Sequence, residues 1–104
     1  TSRRQRQMCI RDRNYSIKDG VVTIASGVFY NNTNLKSVTI PSSVKNIGTY
    51  AFSGCTNLTE VILPDGLENI GYAAFMSSGI KEITVPKSVK NIGQDAFLNI
   101  TVNR

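Results

Sequence analysis

The chain contains no histidine and no tryptophan, and it has only two cysteines, Cys9 and Cys55, in 104 residues. Histidine is a common zinc ligand and the most frequent general acid or base in enzymes, so its absence argues against the familiar zinc sites and most acid–base active sites. The chain also lacks a phosphate-binding glycine loop and an isolated nucleophile beside a base. Its acidic residues do not repeat the spacing of a calcium-binding loop. We therefore predict a protein that is not an enzyme and that has no cofactor and no metal site.

Long apolar runs are also missing from the sequence. The longest purely apolar stretches are only a few residues, so the sequence predicts no membrane-spanning segment. The first residues lack the apolar central region of a signal peptide. Because Thr1 is not a natural start, we expect the chain to be part of a longer protein in which an export signal could lie upstream. The composition, 40% hydrophobic and 18% charged, is that of a folded domain.

The positive charge is concentrated at the amino end. The net charge is +5, and the first thirteen residues, with five arginines and one aspartate, carry +4 of it. The segment Arg3 to Arg13, RRQRQMCIRDR, resembles the translation of a DNA-sequencing adaptor, whose consecutive codons encode those residues. We therefore assign residues 1–14 to a non-native or disordered head. An arginine-rich arm could contact phosphate groups, but the remaining residues are nearly neutral, and we predict no nucleic-acid partner.

A repeat of 22 or 23 residues organises the rest of the sequence. Its clearest marker is a phenylalanine, at Phe29, Phe52, Phe75 and Phe97, with spacings of 23, 23 and 22 residues. We assign one domain, 15–104, with four repeats at 15–34, 35–57, 58–79 and 80–104. A single unit cannot bury its apolar face alone, so the repeats are predicted to stack into one continuous core.

Each repeat opens with alternating apolar and polar residues, which is the pattern of a half-buried strand. In the second repeat, Val38 and Ile40 are predicted to point into the core, and Pro41 ends the strand because it has no N–H to donate. A glycine after a later isoleucine predicts a tight bend that a side chain would block. The following Ala-Phe pair is predicted to lie on a short helical turn. These features predict a right-handed repeat solenoid with short parallel strands and short helical turns in about four repeats.

The repeats share the pattern LxxVxIPxxVxxIGxxAFxGCxxL, which Leu35 to Cys55 matches nearly residue for residue. This pattern resembles the BspA-type leucine-rich repeat, found in bacterial and some protist surface proteins. The third repeat departs from it at the glycine–cysteine step, where it has Ser77 and Ser78. The resemblance implies a leucine-rich-repeat-like superhelix, an extracellular or cell-surface location, and a role in adhesion or protein binding. It implies no catalytic residue and no cofactor.

The outward positions of the first strand in each repeat form the candidate binding surface, because the strand ladder of a solenoid is commonly its contact face. We predict that this surface contacts a protein or cell-surface ligand. The predicted contact residues are Lys36, Ser37, Thr39, Thr59, Glu60, Ile62, Lys81, Glu82 and Thr84. Ile62 is apolar where its equivalents are Thr39 and Thr84, which makes it a candidate anchor for a partner.

Two kinds of residue outside the strands also attract attention. Tyr50 and Tyr72 are interpreted as equivalent positions, with Tyr30 displaced by one step. They could form an aromatic binding ladder, or they could simply pack half-exposed on the turns. Cys55 is predicted to be a buried filler rather than a reactive thiol.

Two functions remain open at this point. In the first, the repeats are a binding module of a secreted or cell-surface protein. In the second, they are a purely structural spacer that holds another domain away from the cell surface. Neither end of the repeat array looks capped by polar residues, so we also expect self-association through the uncapped ends.

Overall fold

The computed structural model describes residues 14–104, which form stacked turns of parallel strands. The predicted head lies outside this range except for its last residue, Asn14, which begins the first strand. Each repeat contributes one strand of three residues and one of two, and a final strand begins a further turn. The strands are β1 (Asn14–Ser16), β2 (Thr23–Ile24), β3 (Ser37–Thr39), β4 (Asn46–Ile47), β5 (Glu60–Ile62), β6 (Asn69–Ile70), β7 (Glu82–Thr84), β8 (Asn91–Ile92) and β9 (Thr101–Asn103).

Each strand pairs in parallel with the equivalent strand of a neighbouring repeat. The three-residue strands β1, β3 and β5 form one sheet, in which Val38 lies between Tyr15 and Val61. The two-residue strands β2, β4, β6 and β8 form a second sheet on another side of the turn. The predicted solenoid of parallel strands in about four turns is therefore confirmed.

The segment around each phenylalanine does not form the predicted helical turn. Tyr50 and Gly54, two residues before and two after Phe52, have left-handed φ angles of 58° and 77°. A helix needs consecutive residues with φ near about −63°, so it cannot run through this segment. Every second N–H group of this segment instead donates to a carbonyl of the next repeat. The Phe52 N–H, for example, donates to the carbonyl of Ala74 at 2.8 Å. The prediction of short helical turns was therefore wrong, because this side consists of tight turns with hydrogen bonds to the neighbouring repeat.

The four phenylalanines form a continuous column inside the solenoid. Adjacent ring centroids lie 5.0, 5.1 and 5.6 Å apart, and the ring planes are within 8° of parallel. Phe29, Phe52 and Phe75 are buried, and Phe97 at the end of the column is half-buried. Stacked aromatic pairs contribute about 0.5–1.5 kcal/mol each beyond the burial of their area. The column confirms that equivalent side chains of successive repeats share one interior.

The isoleucine–glycine step brings successive turns into direct contact. A Cβ placed on Gly71 would lie 2.7 Å from the carbonyl carbon of Gly48, and one on Gly93 would collide with the backbone of Tyr72. Contacts this close are sterically forbidden, so a side chain is excluded at this step as predicted, but the atoms that exclude it belong to the neighbouring turn. In the first repeat, Ala25 holds the same position, and its side chain is exposed.

A ladder of asparagine side chains runs along the two-residue strands. The Asn46 amide donates to the Thr23 hydroxyl at 3.2 Å, the Asn69 amide donates to Asn46 at 2.7 Å, and the Asn91 amide donates to Asn69 at 2.6 Å. Each middle amide therefore donates to one neighbour and accepts from the other. An asparagine precedes each isoleucine–glycine step in the sequence, but we did not predict that these side chains bond to one another.

Candidate binding surface

The predicted contact residues lie on the side of the solenoid formed by the three-residue strands. The pairing of β3 with β5 places Ser37 beside Glu60 and Thr39 beside Ile62. Because side chains alternate along a strand, Val38 between them points into the core and is buried. All of the predicted residues are exposed except Ser37, which is half-buried. We call the nine predicted contact residues the strand face. They are the outward residues of β3, β5 and β7 together with the residue that precedes each strand.

The strand face is interrupted between β5 and β7. β5 pairs with β3, and β7 pairs with β9, but β5 and β7 belong to separate sheets. The break coincides with a shorter loop, since Ile80 follows Phe75 by five residues whereas Leu58 follows Phe52 by six. Gly79 lies in this loop, where a Cβ would clash with the backbone of the preceding repeat. The break in strand pairing lies between the predicted residues on β7 and those on β3 and β5, although β5 and β7 remain in contact.

Ile62 is the most exposed large apolar side chain of residues 14–104, with 82% of its surface accessible. Thr39 flanks it on β3, and on its other side the ladder of strands ends. Burying such a side chain is worth about 1.5–3 kcal/mol. A partner that covered Ile62 would gain most of this energy, because the protein itself covers little of the side chain.

Two cavities border β3 and β5. At the amino ends of these strands, a polar cavity of about 420 Å³ is lined by Asn34, Lys36, Thr56, Asn57, Thr59 and Gly79. At their carboxyl ends, a second cavity of about 250 Å³ is lined by Ser37, Val38, Thr39, Ile40, Glu60, Ile62 and Pro64. The first offers amides, hydroxyls and one ammonium group, and the second offers the exposed Ile62 side chain beside one carboxylate and two hydroxyls. The six predicted residues that precede the break all line one of these two cavities.

The loop residues of the polar cavity were missed by the sequence analysis. Asn34, Thr56, Asn57 and Gly79 come from the segments that precede the strands, which the sequence marks only as loops rich in Ser, Gly, Asn and Thr. The Asn57 amide donates to the Thr33 carbonyl at 2.6 Å, which joins two successive loops. Such loop-to-loop bonds depend on how the repeats stack, and the repeat pattern alone does not reveal them.

Cys55 does not belong to this surface. It is fully buried, and its thiol donates to the carbonyl of Phe29 at 2.9 Å. Burial raises the pKa of the Cys55 thiol to about 11, and a backbone hydrogen bond from Asn32 opposes this shift. The thiol is therefore protonated at neutral pH and is not a nucleophile. The predicted role as a buried filler is confirmed.

The tyrosines on the turns are not placed as the sequence analysis supposed. The pairing of β4 with β6 sets Ile47 opposite Ile70, so Tyr72 is equivalent to Thr49, and Tyr50 is equivalent to Ala73. The interpretation of Tyr50 and Tyr72 as equivalent was wrong by one residue. The two rings nevertheless meet edge to face, with centroids 5.5 Å apart.

The structure also bears on metal binding and on membrane insertion. Within residues 14–104, no three cysteine or acidic side chains cluster as ligands of a metal ion would. In the same range, no helix has the length and apolar character needed to cross a membrane.

Comparison with known proteins identifies relatives of this architecture. A sequence profile described as the BspA type Leucine rich repeat region (6 copies) matches residues 7–103. No curated protein sequence matches the chain significantly. A leucine-rich repeat protein from Bacteroides ovatus is 37% identical and superimposes with a TM-score of 0.83, and the match covers 94% of this chain and 27% of that one.

Two further solved structures are similar. The T. pallidum leucine-rich repeat protein TpLRR is 33% identical with a TM-score of 0.65, over 82% of this chain and 53% of that one. The pneumococcal vaccine antigen PcpA is 35% identical with a TM-score of 0.75, over 79% of this chain and 20% of that one. The chain thus spans about half or less of the length of these three relatives. The profile match, the repeated core and the shared fold together show that the chain belongs to the BspA-type leucine-rich repeat family.

Proposed function

We propose that this chain is a non-enzymatic binding module of a cell-surface or secreted protein and that it contacts a protein or cell-surface ligand through the strand face. The observation that carries the proposal is Ile62, an apolar side chain that is 82% exposed and lines the cavity at the carboxyl ends of β3 and β5. A central apolar anchor with a polar rim is the arrangement of residues that dominate binding energy at interfaces. The likeness to a pneumococcal vaccine antigen supports a location accessible from outside the cell.

The charges of the strand face indicate what kind of partner fits. Lys36 and Lys81 are balanced by Glu60 and Glu82, and all four side chains are exposed. A surface of mixed sign does not attract a strongly charged polymer such as nucleic acid. It favours a partner with an apolar pocket that covers Ile62 and is surrounded by polar groups. We therefore expect binding that depends only weakly on salt concentration.

The proposal is tested by replacing Ile62 and Lys81 on the strand face. Threonine is the matched replacement for Ile62, because Thr39 and Thr84 occupy the equivalent positions. Beads coated with the wild-type chain or with Ile62→Thr/Lys81→Ala are compared for adhesion to cultured epithelial cells and to immobilised extracellular-matrix proteins. We expect the variant to lose about tenfold or more in binding, which corresponds to ~1.4 kcal/mol or more.

The control carries the same kinds of change away from the strand face. Val22, which is 52% exposed, and Lys90, which is also exposed, supply the matched variant Val22→Thr/Lys90→Ala. It should adhere like the wild type. Equal adhesion of all three proteins, or no adhesion of the wild type to any surface, would instead favour the alternative function, a structural spacer that holds another domain away from the cell.

A further inference from the structure

A cavity lies on the turns between the first two repeats. It has a volume of about 410 Å³ and is lined by Ser26, Gly27, Tyr30, Thr49 and Tyr50. This volume falls within the ~300–1,000 Å³ that is usual for small-molecule sites. None of the lining residues belongs to the strand face, so a ligand of this cavity would bind independently of the function proposed above.

The cavity is open because the first repeat has a glycine where the other repeats have a side chain. In the stacked turns, Gly27 is equivalent to Tyr50, Ala73 and Asp95. All four residues have left-handed φ angles, from 54° to 67°, so this conformation does not by itself require glycine. A Cβ placed on Gly27 would make only an ordinary contact with the Cβ of Tyr30, at 3.9 Å. A side chain could therefore occupy this space, and its absence leaves the cavity open.

Two tyrosine rings form the apolar part of the lining. The rings of Tyr30 and Tyr50 have centroids 5.9 Å apart and meet at an angle of 71°, so together they form a corner. Tyr30 is 54% exposed, which leaves much of its ring available to a ligand. Tyr50 is supported from its other side by the ring of Tyr72, at 5.5 Å. The corner is thus largely formed before a ligand binds, and tyrosine loses little conformational entropy on binding.

Four hydroxyl groups accompany the rings, and the lining carries no charged side chain. The hydroxyls of Ser26 and Thr49 have no hydrogen-bond partner within residues 14–104. Each can both donate and accept a bond. A charged ligand would lose water here without meeting an opposite charge, and a purely apolar ligand would leave the hydroxyls without partners. The lining therefore suits an uncharged ligand that combines an apolar face with several hydroxyl groups.

We propose that this cavity binds a neutral hexopyranose unit of a glycan. In β-glucose and β-galactose, axial C–H groups form an apolar face of the ring, and hydroxyl groups project from its edge. The apolar face packs on the exposed ring of Tyr30, and hydroxyls of the sugar bond to Ser26 and Thr49. The ring contact supplies apolar area, while the few polar groups fix the orientation of the sugar. Acidic sugars are disfavoured, because the lining offers no cation.

The experiment titrates the isotope-labelled full chain with methyl β-glucopyranoside and with methyl β-galactopyranoside, and it follows amide signals by NMR. We expect saturable shifts at Ser26, Gly27, Tyr30 and Thr49 with at least one of the two glycosides, and none at Ile62. Methyl β-glucuronoside is the matched control ligand, since it differs from the glucoside only by a carboxylate in place of the CH₂OH group. It should produce no saturable shifts at the cavity.

Two variants test the lining directly. Tyr30→Ala removes the exposed ring and should weaken binding about tenfold or more. Gly27→Asp should weaken it similarly, because an aspartate side chain would fill the cavity. The equivalent Asp95 has a similar φ angle, so the fold accommodates aspartate at this position. Unchanged chemical shifts away from the cavity verify that each variant is folded.

The strand-face variant Ile62→Thr/Lys81→Ala is the matched control protein and should bind the glycoside like the wild type. This comparison separates the cavity from the proposed strand-face function, because either site can fail without the other. The inference is overturned if neither glycoside produces saturable shifts at the cavity, if the glucuronoside binds there as well as they do, or if either lining variant binds like the wild type. Shifts confined to the strand face would also overturn it and would place glycan binding on that face.

Discussion

At the scale of single residues, the position of Cys55 shows how the solenoid tolerates variation. This position follows the left-handed residue Gly54 at the end of the turn. Cys55 holds this position in the second repeat, and its thiol donates to the carbonyl of Phe29. The third repeat has Ser78 there, and the buried Ser78 hydroxyl has no hydrogen-bond partner among residues 14–104. A buried polar group left without a partner costs about 1–3 kcal/mol. Ser78 is therefore a weak point of the core.

Replacing Ser78 should accordingly make the protein more stable. We expect Ser78→Ala to raise the free energy of unfolding by about 1 kcal/mol, because it removes the unpartnered hydroxyl and leaves only a small void. Urea denaturation followed by circular dichroism measures this difference. The same change at the equivalent position, Cys55→Ala, should lower stability, since it removes a hydrogen-bonded thiol. Destabilisation by both changes would show that the Ser78 hydroxyl has a partner.

The core positions could be predicted from the sequence residue by residue, but the contacts between the surface tyrosines could not. A buried residue such as Phe52 or Val38 is repeated because each turn must fill the same interior column. Tyr50 and Tyr72 follow no common position, so counting residues misaligned them by one. The strand register, with Ile47 opposite Ile70, corrects their alignment.

At the scale of the structural element, the glycine of the isoleucine–glycine step is required by the neighbouring turn rather than by its own backbone. Gly71 does not need a left-handed conformation, but the backbone of Gly48 and Thr49 occupies the space where its Cβ would lie. Ala25 holds the same position in the first repeat with its side chain exposed. The position tolerates a methyl group only where the stacked turn leaves room for it.

Because of this contrast, substitutions at Gly71 and at Ala25 should affect stability differently. Gly71→Ala should destabilise the protein by about 1–3 kcal/mol, because the added methyl group forces the turns apart. The reciprocal control, Ala25→Gly, should cost no more than ~1 kcal/mol, which is the entropic penalty of an added glycine. Thermal denaturation of both variants provides the comparison. Equal, small effects at the two positions would contradict the steric explanation.

Strands were the most predictable elements, and turns were the least. Alternating apolar and polar residues followed by proline fix where a strand such as β3 lies, because both signals are local. The Ala-Phe segment looks locally like the start of a helix. Its amides bond instead to the next repeat, as that of Phe52 does to Ala74. That partner is remote in sequence, so local propensity cannot foresee it.

At the scale of the whole molecule, the carboxyl-terminal end of the described array presents apolar groups to solvent. Ile92 is 40% exposed, Leu98 45% and Val102 39%, whereas the equivalents of Ile92 in the inner turns, Ile47 and Ile70, are buried. β8 and β9 are also the last strands of their sheets. Unpaired strand edges with apolar side chains readily pair with another chain. In the chain as given, this side therefore exposes both apolar side chains and strand edges.

We therefore predict that the chain self-associates through β8 and β9. Its mass, measured by size-exclusion chromatography with light scattering, should rise with concentration over the micromolar range. Ile92→Lys/Val102→Lys should remain monomeric, since charges on edge strands oppose pairing. Ile62→Thr, which removes an exposed apolar side chain away from this end, should associate like the wild type. A wild-type chain that stays monomeric at high concentration would contradict the prediction.

The location of the candidate site was predictable, but its shape was not. Outward strand residues follow directly from the alternation, so Lys36 and Ile62 could be named in advance. The two cavities arise from loops and strands of different repeats, and the break in strand pairing beside Ile62 coincides with a loop that is one residue shorter. These features depend on how successive turns fit together, which no single repeat encodes.

The missing ladder between β5 and β7 gives the array an unequal resistance to bending. On the opposite side, β6 and β8 remain joined, with Ile70 opposite Ile92. We therefore expect the last turn to separate from the array on the strand face before it separates on the opposite side.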